Sequence, residues 1–240
     1  DDGIGSAYDV YYRETNAEES NLTAFETKEY GASFGLSVPV SEHNTVAGSL
    51  GYANTEISTQ TISSIQITDF ITKNGNQYDI LKFSMNFAYD TRNKAILPDK
   101  GVYQRINGTI SMPSFGDSLE YYKINYEGKW FKDLYNEDFI LALGGKFGYG
   151  DGYGSSDELP FFENFYAGGP RTLRGYEENT LGPRDSTNRA LGGDTRILVN
   201  AEVILPVPFL TAYKKSIRLT TFFDAGNVFG SNDDVSIDDM

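Results

Sequence analysis

Nine segments of this 240-residue chain alternate between large apolar and small or polar side chains at every second position, and none of its apolar runs reaches the roughly 18 residues of a spanning helix. The cleanest segment sets Tyr30, Ala32, Phe34, Leu36, Val38 and Val40 against Gly31, Ser33, Gly35, Ser37 and Pro39. Another sets Leu81, Phe83, Met85, Phe87 and Tyr89 against Lys82, Ser84, Asn86, Ala88 and Asp90. The same two-residue period recurs over 4–13, 46–53, 102–112, 122–130, 139–149, 197–205 and 218–229. Strands of this kind have one dry face and one wet face. The dry face must meet either another sheet or lipid.

Two regularities favour lipid. Connections near residues 42, 99, 136 and 210 are short, whereas those near 20, 67 and 170 are long and polar; the connection at 114–118 is the exception. Short turns on one side and long loops on the other characterise membrane barrels, whose strands need only about 10 residues each. Aromatic residues also gather near strand ends (Tyr11, Tyr12, Tyr30, Tyr52, Tyr89, Tyr103, Tyr121, Tyr122, Trp130, Phe131, Tyr149), as interfacial belts require. A soluble β-sandwich is the alternative, since Tyr is common in sheets generally. The pattern predicts an all-β, antiparallel transmembrane β-barrel. Residues 57–78 read as a long polar loop, and Pro98-Asp99-Lys100-Gly101 as a tight turn.

Composition removes several function classes. A net charge of −14 argues against nucleic acid as a partner, and without cysteine there is neither a disulfide framework nor a thiolate metal site. The sole histidine, His43, falls in a short polar turn, too few partners for a catalytic triad or a zinc site. The glycine-rich stretch 148–154 is followed by neither a helix pattern nor Lys-Ser/Thr, so it reads as a flexible strand-to-loop transition rather than a phosphate cradle. Asp233, Asp234, Asp238 and Asp239 lack the spacing of a calcium loop and read as a solvated acidic segment. The expectation is a non-enzyme with no cofactor and no metal. Asp1-Asp2-Gly3 is also no cationic start to a secretory leader.

The interruption at about 150–193 is too long for an idle connection in a compact domain. Within it, Gly168, Gly169, Pro170 and Gly175 break any strand period around Arg171 and Arg174. On the strand that follows, Glu202 shares the polar parity with Arg196 and Asn200. On the last strand, Asp224 shares it with Thr220 and Gly226, while Leu219, Phe223 and Ala225 point the other way. Two carboxylates facing the same interior repel unless a cation lies between them. An arginine folding in from the loop would meet both with charge-assisted, bidentate bonds that lysine cannot match. The alternative is an arginine left in solvent.

The loop also resembles a known family. Leu173-Arg174-Gly175-Tyr176, preceded by Asn164-Phe165-Tyr166-Ala167-Gly168-Gly169 and followed by Asn179-Thr180-Leu181-Gly182-Pro183, is similar to the sixth extracellular loop of the BamA family, where the signature reads Val-Arg-Gly-Phe. Phe222-Phe223-Asp224-Ala225-Gly226 resembles that family's aromatic-aspartate-x-glycine segment. The resemblance implies a sixteen-stranded barrel of which this chain is a piece of about nine strands, with residues 1–240 in one barrel domain, 150–193 as an extracellular loop reaching into the lumen, and the periplasmic POTRA domains absent. It implies that Arg174 tucks inward against Glu202, Asp224 and Phe222. It implies a protein of the bacterial outer membrane that folds and inserts other β-barrel proteins, with outer-membrane lipids, unfolded clients and lipoprotein subunits, the latter mostly held through POTRA domains, as partners. The alternatives are a protein-translocating barrel of the two-partner secretion or translocation-and-assembly type, and a passive porin.

Overall fold

The computed structural model describes residues 3–18, 21–59, 63–114, 116–135, 139–205, 217–231, 233 and 235–236. Among them are nine strands: β1 (Gly5–Asn16), β2 (Phe25–Pro39), β3 (Asn44–Thr59), β4 (Gln77–Asp90), β5 (Gly101–Met112), β6 (Tyr121–Tyr135), β7 (Phe139–Gly152), β8 (Thr195–Leu205) and β9 (Leu219–Phe229). All are antiparallel and pair strictly in chain order.

Register carries the alternation across the sheet. Tyr8, Phe34, Leu50, Phe83 and Ile110 stand opposite one another on consecutive strands, and so do Phe87, Ile106, Tyr126 and Phe147. These side chains are not hidden: Val10 is 88% exposed, Phe223 69% and Met85 53%. Among the described residues no second sheet covers this face, so it is the surface that lipid covers in a transmembrane barrel. The opposite face carries Arg105, Glu127 and Lys146 in one row and Gly144, Asn200 and Asp224 in another. Strand twist curls the sheet far enough that Arg218, just before β9, donates to the carbonyls of Leu97 and Pro98 at 2.8 and 3.1 Å and pairs with Asp99 in the β4–β5 connection.

Buried apolar residues lie on the inner side, where the β7–β8 loop packs. Phe25, Ile57, Phe70, Tyr78, Ile80, Tyr121 and Phe161 form the largest cluster, with Phe161 edge-on to Phe25 and Phe70. This cluster alters the sequence reading of residues 57–78. β3 continues to Thr59, and a helix, α1 (Ile65–Asn74), follows. The Ser64 side chain accepts from the Ile67 N–H, Gly75 takes φ +87° after the helix end, and Ile67 and Phe70 turn inward. Gly148–Gly152 likewise belongs to β7 rather than to a flexible transition. The β4–β5 connection spans 91–100, wider than a four-residue turn, because Asn93 Oδ1 accepts from the N–H groups of Asp99 and Lys100.

Four of the residues read as a lipid-interface belt, Tyr11, Tyr103, Tyr121 and Phe131, have inward parity. Tyr121 is fully buried, and Tyr11 donates to Glu29 at 2.6 Å. The short connections expected near 136 and 210, and Asp234, Asp238 and Asp239, lie outside the described residues.

Candidate functional site

Residues 153–194 join β7 to β8 and lie over the inner face. At the neck, the Phe165 N–H donates to the Gly193 carbonyl at 2.8 Å and Gly193 returns the bond at 3.1 Å. Beyond it the chain makes a tight tip. Thr172 Oγ1 donates to the Gly168 carbonyl at 2.5 Å and accepts from its N–H at 2.9 Å, while the Gly169 N–H donates to Tyr176 at 3.1 Å. Gly168 has φ +115°, and a Cβ there would lie 2.2 Å from the Glu177 carbonyl oxygen, so glycine is obligatory.

This tip aims Arg174 inward. Leu173, 3% exposed, packs with Ala167, Leu198 and Val228 and pins the backbone to the wall. Arg174 Nε and Nη2 donate to Asp224 Oδ2 and Oδ1, each at 2.7 Å, and the Arg174 N–H adds a third bond to Oδ2 at 3.0 Å. Nη1 lies 2.7 Å from Glu202 Oε1, and the guanidinium carbon stands 3.6 Å above the Phe222 ring centre. Asn200 donates to Asp224 from the neighbouring strand. Asp224 is only 4% exposed, whereas the Arg174 and Glu202 side chains are 25% and 23% exposed. Asp224 is thus the enclosed end of the fork. Its hydrogen bonds to the guanidinium, together with Glu202, hold the Arg174 pKa above its ordinary value.

The four residues of the loop signature therefore divide their work. Leu173 is buried and Arg174 is paired. Gly175 has φ +91° with open space around its Cβ position, and Tyr176 is 54% exposed. Arg171, the other loop cation in the sequence reading, lies exposed, and its carbonyl accepts from Lys146 at 3.0 Å. His43 sits edge-on to Tyr89 at a ring separation of 6.4 Å, far from the loop. No cluster of metal-binding side chains occurs among the described residues.

The sequence reading missed the contacts that hold the rest of the loop. Asp185 accepts from the backbone of Thr187 and Arg189 at 2.8 and 2.9 Å and from the Thr23 hydroxyl, tying the loop to the β1–β2 connection. Arg189 pairs with Glu18 at 2.6 Å, and Ser186 exchanges hydrogen bonds with Ile65 and Gln66 of α1. Burial pushes the Asp185 pKa up, but these donors outweigh it and leave it below the ordinary carboxylate value. Glu163, at the loop root, is surrounded by Lys82, Lys123 and Tyr121. Partners this far apart in the chain leave no local spacing to read.

The model of the Omp85 superfamily domain matches residues 1–239. "Outer membrane protein assembly factor BamA" of Neisseria meningitidis is 32% identical over 242 residues, which cover 95% of this chain and 30% of that protein. The "Sorting assembly machinery 50 kDa subunit" of Saccharomyces cerevisiae is 31% identical over 145 residues, covering 59% of this chain and 28% of its own length. Among solved structures, BamA from Haemophilus ducreyi lacking POTRA domains 1-3 superposes with a TM-score of 0.87 at 23% identity, over 96% of this chain and 47% of that one, a likeness of fold. CdiB from Acinetobacter baumannii shares the fold more distantly, with a TM-score of 0.53 at 17% identity over 95% of this chain and 38% of that one. The chain spans less than half the length of each of these relatives.

Proposed function

The chain belongs to the Omp85 superfamily, and from that premise we propose that it forms part of the wall of an outer-membrane barrel that folds and inserts other β-barrel proteins. The 32% identity to a protein named as an outer-membrane assembly factor supports this reading over nearly the whole chain. The observation that carries it to the level of residues is the Arg174 fork on Asp224 and Glu202. A barrel that must stay closed to solutes while it handles unfolded chains needs its inward loop fastened to the wall, and the fork on β8 and β9 supplies that.

In this reading, residues 1–240 are one stretch of a single transmembrane barrel, and the loop expected over 150–193, bounded by β7 and β8 at 153–194, is extracellular and held in the lumen. The exposed apolar face contacts outer-membrane lipids, unfolded β-barrel proteins are the clients, and lipoprotein subunits dock on POTRA domains outside this stretch. Insertion is non-enzymatic and needs no cofactor: it is driven by burial of the client's apolar face and by pairing of exposed strand edges. Relatives occur in both bacteria and eukaryotes. The bacterial outer membrane is the proposed location because the relative matching the chain over 95% of its length is bacterial.

A protein-translocating role is the second reading, since the fold extends beyond proteins named as assembly factors. Reconstitution of the intact protein in phospholipid vesicles separates the readings. An insertase accelerates the appearance of folded, heat-modifiable client barrels, and Arg174→Ala slows that by at least about tenfold. Large steady ion conductance without client folding would identify a porin, and passage of a client into the vesicle lumen would identify a translocator.

A further inference from the structure

The loop has a second fastening at its root. Glu163 closes a short 3-10 turn (Phe161–Glu163), and three donors from β4 and β6 converge on its carboxylate. Lys82 Nζ lies 2.8 Å and the Tyr121 hydroxyl 2.7 Å from Oε1, and Lys123 Nζ lies 3.1 Å from Oε2. Lys123 also donates to the Glu163 carbonyl at 2.5 Å. Two residues on, Phe165 is 5% exposed and lies flat on Gly148 of β7, where a Cβ would come within 2.7 Å of the ring. Gly148 has no left-handed backbone. Its missing side chain serves the ring rather than the strand, which on propensity alone would favour a β-branched residue. Lys123 and Arg196 flank the same ring, at 4.8 and 5.2 Å from its centre.

We propose that Glu163 and Phe165 form a root anchor, distinct from the Arg174 fork, and act as positioning residues that fix where the loop leaves the wall and so where Arg174 arrives. Its functional consequence rests on the insertase reading above. The root grips β4, β6, β7 and β8, whereas the fork grips β8 and β9. With both held, the loop braces the wall from β4 to β9. With the neck clamped, the guanidinium is presented to Asp224 without ordering the whole loop first, the usual gain of a preorganised contact. The dependence is one-way: the tip needs the root, but the root does not need the tip.

Proteolysis of the intact protein in phospholipid vesicles, with cut sites mapped by mass spectrometry, tests this. Arg174→Ala opens cuts within the tip, residues 168–182, and leaves residues 155–165 as protected as in the unaltered protein. Gly148→Val and Glu163→Gln each raise cutting at the root by about tenfold or more, and the tip opens with it. Adding Phe165→Ala to Gly148→Val has less than its separate effect, because the new side chain fills the vacated seat. Heat-modifiable mobility certifies a folded barrel, and Glu163→Gln stands in should Gly148→Val not fold. A root as protected as in the unaltered protein in both variants, or an open root beneath a fully protected tip, overturns the proposal. No client takes part, so either result leaves the insertase reading standing, and failure of client insertion by the unaltered protein sinks that reading without touching the anchor.

Discussion

Removing the Arg174 guanidinium strips Asp224 of two 2.7 Å charge-assisted bonds and leaves a 4% exposed carboxylate with Asn200 and one backbone N–H. Breaking a buried pair from one side costs about 3–5 kcal/mol, whereas an exposed pair is worth at most about 1 kcal/mol. The Glu202 arm belongs to the second class, with both side chains about a quarter exposed, and the guanidinium itself is not fully enclosed. The lower end, about 3 kcal/mol, is therefore expected for Arg174→Ala. That corresponds to roughly a hundredfold rise in the open population of the loop tip. Arg174→Lys keeps the charge but not the fork, and should lose more than half of this. The assay is hydrogen exchange at tip amides, run as a double-mutant cycle with Asp224→Asn. A coupling energy above about 2 kcal/mol is expected, since one carboxylate carries most of the fork. Equal and additive losses, or Asp224→Asn without effect, would refute the reasoning.

Three other outcomes follow from the same geometry. Burial alone would raise the Glu163 pKa, but Lys82 and Lys123 hold it down at about 2, against an ordinary 4.5. A depressed carboxylate stabilises above its unfolded value, so amide protection at residues 163–165 should be constant from pH 7 to about 4.5 and fall as pH approaches 2; loss already near pH 6 would count against the ion pair. Gly168→Ala should unseat the tip, because both φ and the Glu177 carbonyl forbid a Cβ; Gly175→Ala, with open space, should cost only about 1–2 kcal/mol of backbone strain by the same exchange assay. Phe87→Arg, on the face opposite the loop, should destabilise the folded barrel by about 2–4 kcal/mol in reversible unfolding from lipid, and a null effect would mean that face does not meet the bilayer.

What could be read from the sequence was what depends on counting along one strand. Phe83, Met85 and Phe87 declare their face by period alone, and the parity of Glu202 and Asp224 follows from the same count; the structure sets both carboxylates against Arg174. The upper part of β3 is hard to see in the sequence because its outward positions Asn54, Glu56 and Ser58 lie beyond the apolar band, and Ile57 alone, on the inner side, makes no period. Helix α1 escaped because a few apolar residues in a Thr-, Ser- and Gln-rich stretch make a weak stripe, and its burial comes from packing on Phe161, far along the chain. Tyr121 opens its strand, and nearness to a strand end does not say which face a ring takes; its parity turns it inward, where the loop buries it. The Glu163 cluster joins residues 81 and 40 positions apart, a proximity only the folded loop creates.

A density map of the intact protein in a lipid nanodisc would examine the central claim directly. The account expects lipid chains along Phe34, Phe87 and Phe147, and the Arg174 guanidinium within hydrogen-bonding reach of both Asp224 and Glu202 on the other side of the wall. Lipid against the Glu127–Lys146 face, or a guanidinium free in the loop's solvent, would contradict it.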